Sequence, residues 1–150
     1  MRESFEEAVI ELNRADHLIY VSLKYTRTVD VFRHIIERMI TFLENLSEVI
    51  LKKAKKDHKI FEIPDNPALK VEELRNSYPD DEKVIEIADF LTFLRKVMKS
   101  DYKKEGEFRK NVTMYTIVNN EEFLVNIEEI HKFYDKCKIL IRYVQENYLE

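Results

Sequence analysis

The sequence predicts an all-α protein, an up-and-down bundle of four main helices with one or two short helices between them. Three observations carry that expectation. There is one Gly and there are three Pro in 150 residues, so few points break a long helix. Apolar residues recur at helical spacing over four long stretches. Capping residues stand where those stretches begin. Hydrophobic residues make up 45% and charged residues 36% of the chain, which suits one globular domain over residues 1–150 with a highly charged surface.

The first helix is expected from about Ser4 to about Tyr25, with the stripe Phe5, Val9, Leu12, Ile19 and Leu23. Thr28 is placed to cap the second helix, and Asp30 complements its dipole. Its stripe is Val29, Phe32, Ile36, Met39, Leu43, Leu46 and Ile50, and it ends in the basic run Lys52 to Lys56. Pro64 and Pro67 interrupt the pattern, leaving one short helix over Ala68 to Asn76. The third main helix starts near Asp80, carries Val84, Ala88, Leu91, Met98 and Tyr102 inward, and is expected to stop at Gly106. Residues from Glu107 to Val118 are expected to be partly helical. Asn119 with Glu122 resembles a capping box opening the last helix, which carries Phe123, Ile127, Ile130, Tyr134, Cys137, Ile141, Val144 and Tyr148.

Charge and composition exclude several functions. The formal charge is −4 and the pI is about 5.7, so the chain as a whole is not a basic nucleic-acid binder. One cysteine, Cys137, forms no internal disulfide, which fits a cytoplasmic setting. No stretch has the length and apolarity of a membrane span, and the acidic start Met1 to Glu7 is unlike a signal peptide. Abundant Lys and Glu with a single Gln, Gln145, fit a thermophilic source. No cofactor is implied, since a single glycine builds no phosphate-binding loop.

Polar residues inside apolar stripes are candidate sites. Asp16 interrupts the first stripe and Arg95 the third, so a cross-helix structural pair is expected, unless one of them faces a site. No metal site is expected. Asp30, His34 and Glu37 share a helix face opposite the main stripe, and Glu128 with His131 has only one copy of the Glu-x-x-His spacing. His17 and His58 belong to no recognisable constellation. Cys137 lies on a core stripe and reads as packing.

A basic cluster, Arg95, Lys96, Lys99, Lys103, Lys104, Arg109 and Lys110, is interleaved with Tyr102, Phe108 and Tyr115. Basic residues with aromatics are the elements of single-stranded nucleic-acid binding. The bland alternative is a solvated charged face with its aromatics turned inward.

The stretch Phe108-Arg109-Lys110-Asn111-Val112-Thr113-Met114-Tyr115, with the tail Val118-Asn119-Asn120-Glu121-Glu122-Phe123 and the helix after it, resembles the HEPN superfamily of helical-bundle proteins. That family's signature is Arg, four to six residues, then His, and its active members are metal-independent ribonucleases whose sites lie at a dimer seam. Arg109 matches the Arg. The His position falls on Met114, Tyr115 or Thr116, so the motif is degenerate. The resemblance therefore implies an RNA- or partner-binding module in a defence or toxin–antitoxin context, with a nucleotidyltransferase antitoxin as one candidate partner. Two other functions stay open. One is an active ribonuclease using Arg109 and Tyr115, or a His brought in by the fold such as His17 or His34. The other is a pure protein–protein interaction module. A homodimer is expected, because Leu18, Val21, Tyr25, Phe42 and Ile139 lie off the main stripes.

Overall fold

The computed structural model describes residues 1–149. Five helices and one small sheet follow in order. Helix α1 spans Arg2–His17, continues through a π-helical turn, Leu18–Ser22, and closes with a last turn, Leu23–Tyr25. Helix α2 spans Val29–Lys56, α3 Pro67–Ser77, α4 Glu82–Lys99 and α5 Ile127–Asn147. Between α4 and α5 lie strands β1 (Tyr102–Glu105), β2 (Thr113–Val118) and β3 (Glu121–Val125).

Side-chain caps open α2, α3 and α4. Thr28 Oγ1 accepts from the Val31 N–H at 3.3 Å, as its position in the sequence predicts. Asn66 caps α3 ahead of Pro67, and Asp81 caps α4 through the N–H groups of Lys83 and Val84. Helix α2 is the central element, 28 residues or ~42 Å long. Phe32, Ile35, Ile36, Met39, Phe42, Leu43, Leu46, Val49, Ile50 and Leu51 are all fully buried on it. A helix apolar on so many sides must be covered by several neighbours, and α1, α3, α4 and α5 all pack against it.

The expected all-helical bundle is corrected in one region. Residues from Tyr102 to Val125 form a three-stranded antiparallel sheet in the order β1-β2-β3. Helix α4 ends at Lys99 and not at Gly106, and α5 begins at Ile127 under the cap of Asn126 and not near Asn119. Asn119 and Asn120 instead form the β2–β3 turn, with φ of 55° and 66°. Two successive positive φ values are what a tight hairpin of right-twisted strands demands, and Asn tolerates them. In β2, Met114, Thr116 and Val118 are buried while Thr113, Tyr115 and Ile117 face outward. That alternation has period two, not 3.6.

The first stripe is also shifted. Helix α1 buries Ser4, Phe5, Ala8, Glu11 and Ala15, while Val9 lies at the surface and Leu12 is half-buried. The small side chains of Ala8 and Ala15 let α1 approach α2 closely.

The expected Asp16–Arg95 pair does not form. Asp16 Oδ1 accepts from the Tyr134 hydroxyl at 2.6 Å, and Arg95 Nη2 meets Glu44 Oε2 at 2.8 Å. The reason is topological: α1 packs chiefly on α2 and α5, whereas α4 packs on α2 and α3. The two residues thus find separate partners on separate sides of α2.

Candidate nucleic-acid interface

The β1–β2 connection is built to hold one aromatic residue outward. Gly106 adopts φ of 68°, and a Cβ there would lie 2.9 Å from Asn111 Oδ1 and 3.0 Å from the Asn111 carbonyl oxygen, so only glycine fits. Two turn-like bonds close the loop, Arg109 N–H to the Gly106 carbonyl at 3.0 Å and Val112 N–H to the Arg109 carbonyl at 3.1 Å. Val112 is fully buried and anchors its far end.

The loop is also tied to the start of α2. The Phe108 N–H donates to the Arg27 carbonyl at 2.7 Å. Glu107 Oε2 accepts from the Val29 N–H at 3.1 Å and so helps Thr28 cap the helix. Lys104 lies 3.5 Å from Asp30 and 3.8 Å from Glu107, which places a cation between two carboxylates already engaged at the helix start. Phe108 itself has φ of 68° and is 73% exposed. A positive φ is strained for a bulky residue, and the bonds on either side hold it there. Arg109 and Lys110 follow it, both exposed, and neither makes an ion pair among the described residues.

The predicted basic cluster is therefore divided. Lys103, Lys104, Arg109 and Lys110 share the hairpin, and Lys99 is exposed at the end of α4 just before it. Arg95 is separate, held by Glu44 in a cleft that Thr41, Glu48 and Lys70 also line. Lys96 reaches Asn119 at 3.0 Å, at the opposite end of the hairpin from Phe108. Among the interleaved aromatics only Phe108 projects freely. Tyr102 is half-buried beneath the Arg33 guanidinium, 4.3 Å from its ring centre. Tyr115 lies on the outer face of the sheet, and its interaction with the Glu105 carboxylate raises its pKa from the ordinary tyrosine value. That moves Tyr115 further from useful proton transfer at neutral pH.

The three positions where the resemblance would put a histidine are now explicit. Met114 is fully buried on the core face of β2, Tyr115 faces outward, and the Thr116 hydroxyl donates to the Phe123 carbonyl at 3.0 Å. None offers an imidazole beside Arg109.

Two histidines share a groove elsewhere. His17 and His34 line one groove between α1 and α2, together with Ile10, Asn13, Arg14, Leu18, Glu37 and Arg38. The sequence held a signal for one of them: Arg27 and His34 are separated by six residues, within the signature spacing that was read only around Arg109. His131 packs edge-on to Tyr20, and His58 is exposed past the end of α2. Among the described residues no group of three or more His, Cys, Asp or Glu side chains is placed to hold a metal ion. Burial pushes the Cys137 thiol well above its usual pKa, against thiolate chemistry.

No family model, curated protein or solved structure matches the chain significantly.

No helix is long and apolar enough to cross a membrane among the described residues. The apolar residues that suggest a dimer differ in exposure. Phe42 is fully buried and so marks no interface, Leu18 is half-buried, and Val21, Tyr25 and Ile139 are exposed.

Proposed function

We propose that the protein is a HEPN-like RNA-binding module that engages single-stranded RNA with the β1–β2 tip. The observation that supports this best is Phe108, held outward at a positive φ between a buried anchor and the start of α2, with two unpaired cations following it. An exposed ring on a fixed backbone can stack on a base of any identity, and base–aromatic stacking contributes about 1–3 kcal/mol. Arg109 and Lys110 are then placed for the adjacent phosphates. Lys99 and Lys103 extend the positive surface along the hairpin, whereas the charge of Lys104 is taken up by Asp30 and Glu107. Arg95 is not part of this surface.

The test is anisotropy of a labelled single-stranded RNA titrated with protein in EDTA. Wild type is expected to bind with strong salt dependence, and Phe108→Ala to weaken binding by about 5- to 100-fold with an unchanged melting temperature. Unchanged binding in Phe108→Ala would remove the reading. Absence of RNA binding at low salt would leave a protein partner as the occupant of the tip. The toxin–antitoxin setting, the nucleotidyltransferase partner and the homodimer are further parts of the proposal. Sedimentation at micromolar concentration tests the last of these, with Tyr25→Glu expected to shift a dimer toward monomer.

One observation favours a second reading, a metal-independent ribonuclease. The groove between α1 and α2 holds the two imidazoles that the hairpin lacks, and imidazole is the side chain best suited to moving a proton near neutral pH. RNA cleavage in EDTA that His34→Ala abolishes would establish it.

A further inference from the structure

Buried carboxylates need an explanation, and Glu11 is only 3% exposed. Its two oxygens meet different guanidinium groups, Oε1 with Arg14 Nη1 at 2.6 Å and Oε2 with Arg38 Nη1 at 3.4 Å. Arg14 comes from α1 and Arg38 from α2, so one carboxylate ties two helices and orients two cations. Both arginine side chains remain about half exposed, at 57% and 44%. Both side chains line a groove of about 570 Å³ that His17 and His34 also line. Four nitrogen-bearing side chains thus converge on one space, and two of them are fixed from behind.

The local backbone supports this arrangement. The π-helical turn at Leu18–Ser22 begins where the groove ends. A π turn adds a residue to the helical repeat and re-aims the side chains on either side of it. Arg14, His17 and Leu18, at i, i+3 and i+4, share the face toward α2, while Tyr20, within the π turn, meets the His131 and Tyr134 rings of α5.

We infer that this groove is a phosphate-monoester site, in which Glu11 positions Arg14 and Arg38 as a two-guanidinium clamp and His17 and His34 complete the donor set. Guanidinium groups match phosphate oxygens in geometry and charge. Ile10 and Leu18 give the groove an apolar wall that suits a nucleobase or similar flat group beside the phosphate. Glu37, on the same rim, opposes a second negative group. The ligand class is therefore a nucleoside monophosphate, either free or as the phosphorylated end of an RNA strand. The site does not depend on the hairpin tip or on whether the groove cleaves RNA.

The experiment uses the full chain in EDTA, with adenosine 5′-monophosphate, adenosine, and RNA oligonucleotides carrying a 5′-phosphate or a 5′-hydroxyl. Calorimetry is expected to show saturable binding of the monophosphate and none of adenosine. Arg14→Gln and Arg38→Gln should each weaken it about tenfold or more. Glu11→Gln should do the same by releasing both guanidiniums; because that change is buried, the exposed variant His34→Gln supplies a second readout that leaves folding intact. Phe108→Ala should leave monophosphate binding unchanged, which separates this site from the tip. Preference for 5′-phosphorylated RNA that Arg38→Gln removes would identify the RNA end as the source, and monophosphate binding without that preference would identify the free nucleotide. If neither probe shows phosphate-dependent binding sensitive to Arg14→Gln or Arg38→Gln, the inference is overturned.

Discussion

The junction of α4 with the end of α5 and the β1–β2 tip use polar and aromatic residues in opposite ways. At the first, Asp81 Oδ1 caps α4, while Oδ2 accepts from the hydroxyls of Tyr143 at 2.7 Å and Tyr148. Tyr148 is buried and packs edge-on to Tyr78, over whose ring Lys59 lies at 4.6 Å. Asp81, Tyr143 and Tyr148 are all engaged by one another, and at this junction only the buried Tyr78 hydroxyl is left without a hydrogen-bond partner among the described residues. At the tip, the backbone is as firmly bonded, but Phe108, Arg109 and Lys110 are directed away from the body. Satisfied groups indicate a role in stability. Exposed side chains on a firmly bonded backbone are open to a ligand.

The sharpest way to break this comparison is at Asp81. Asp81→Ala removes a helix cap and leaves two tyrosine hydroxyls without their acceptor, so it should destabilise by about 2–4 kcal/mol. Urea denaturation measures this, and RNA binding by the folded fraction should be unchanged. A smaller effect than a single cap supplies would mean that the junction is not a lock.

The same cluster predicts a pH dependence. Burial, then the hydrogen bond to Asp81 and its charge, raise the pKa of Tyr143 to about 12 and that of Tyr148 further. Unfolded tyrosines titrate near ~10. A group whose pKa is raised on folding contributes stability that is complete below the unfolded value and is lost as pH rises. Stability should therefore fall from about pH 10 upward, and Tyr143→Phe should flatten that fall. For Asp81 burial acts upward, but the bonds from Tyr148, Tyr143 and the Val84 and Lys83 N–H groups outweigh it and hold the carboxyl below its ordinary value. Its contribution is complete above the usual carboxylate range and is lost as pH falls through the lower folded value. Thermal melts of wild type and Asp81→Asn should therefore converge in strong acid.

A smaller effect is expected at Asp16, where the partner is a neutral hydroxyl and not the cation the stripes suggested. Asp16→Ala should cost about 1–2 kcal/mol, measured in urea, and Tyr134→Phe a similar amount. The smallest effect on stability belongs to the tip: Arg109→Ala should change it by less than about 0.5 kcal/mol while reducing the salt dependence of RNA binding by about one ion.

The helical body was legible because α2 carries its pattern over eight turns and its cap, Thr28, stands where it should. The sheet was not, although Thr113 to Val118 is rich in β-branched and aromatic residues and Asn119-Asn120 is a hairpin turn signal. Asn119 followed by Glu122 at the right interval also fits a helix cap. Local chemistry alone does not distinguish an Asn that opens a helix from one that turns a hairpin; the alternation on both sides does. Glu11 was equally hidden, since a charged residue between Ala8 and Leu12 reads as a surface position until Arg38 is brought opposite it. Arg95 was misassigned for the same kind of reason, as its partner Glu44 lies on the far flank of a helix whose main stripe draws the eye.

The chain contains no tryptophan, so Phe108→Trp places a single reporter at the residue on which the proposed function rests. Single-stranded RNA added to this variant should quench the emission in a saturable way, with a midpoint equal to that of binding measured by anisotropy, and raising the salt should reverse both together. Emission that does not change at RNA concentrations that saturate binding would show that the tip does not stack on bases and would contradict the account.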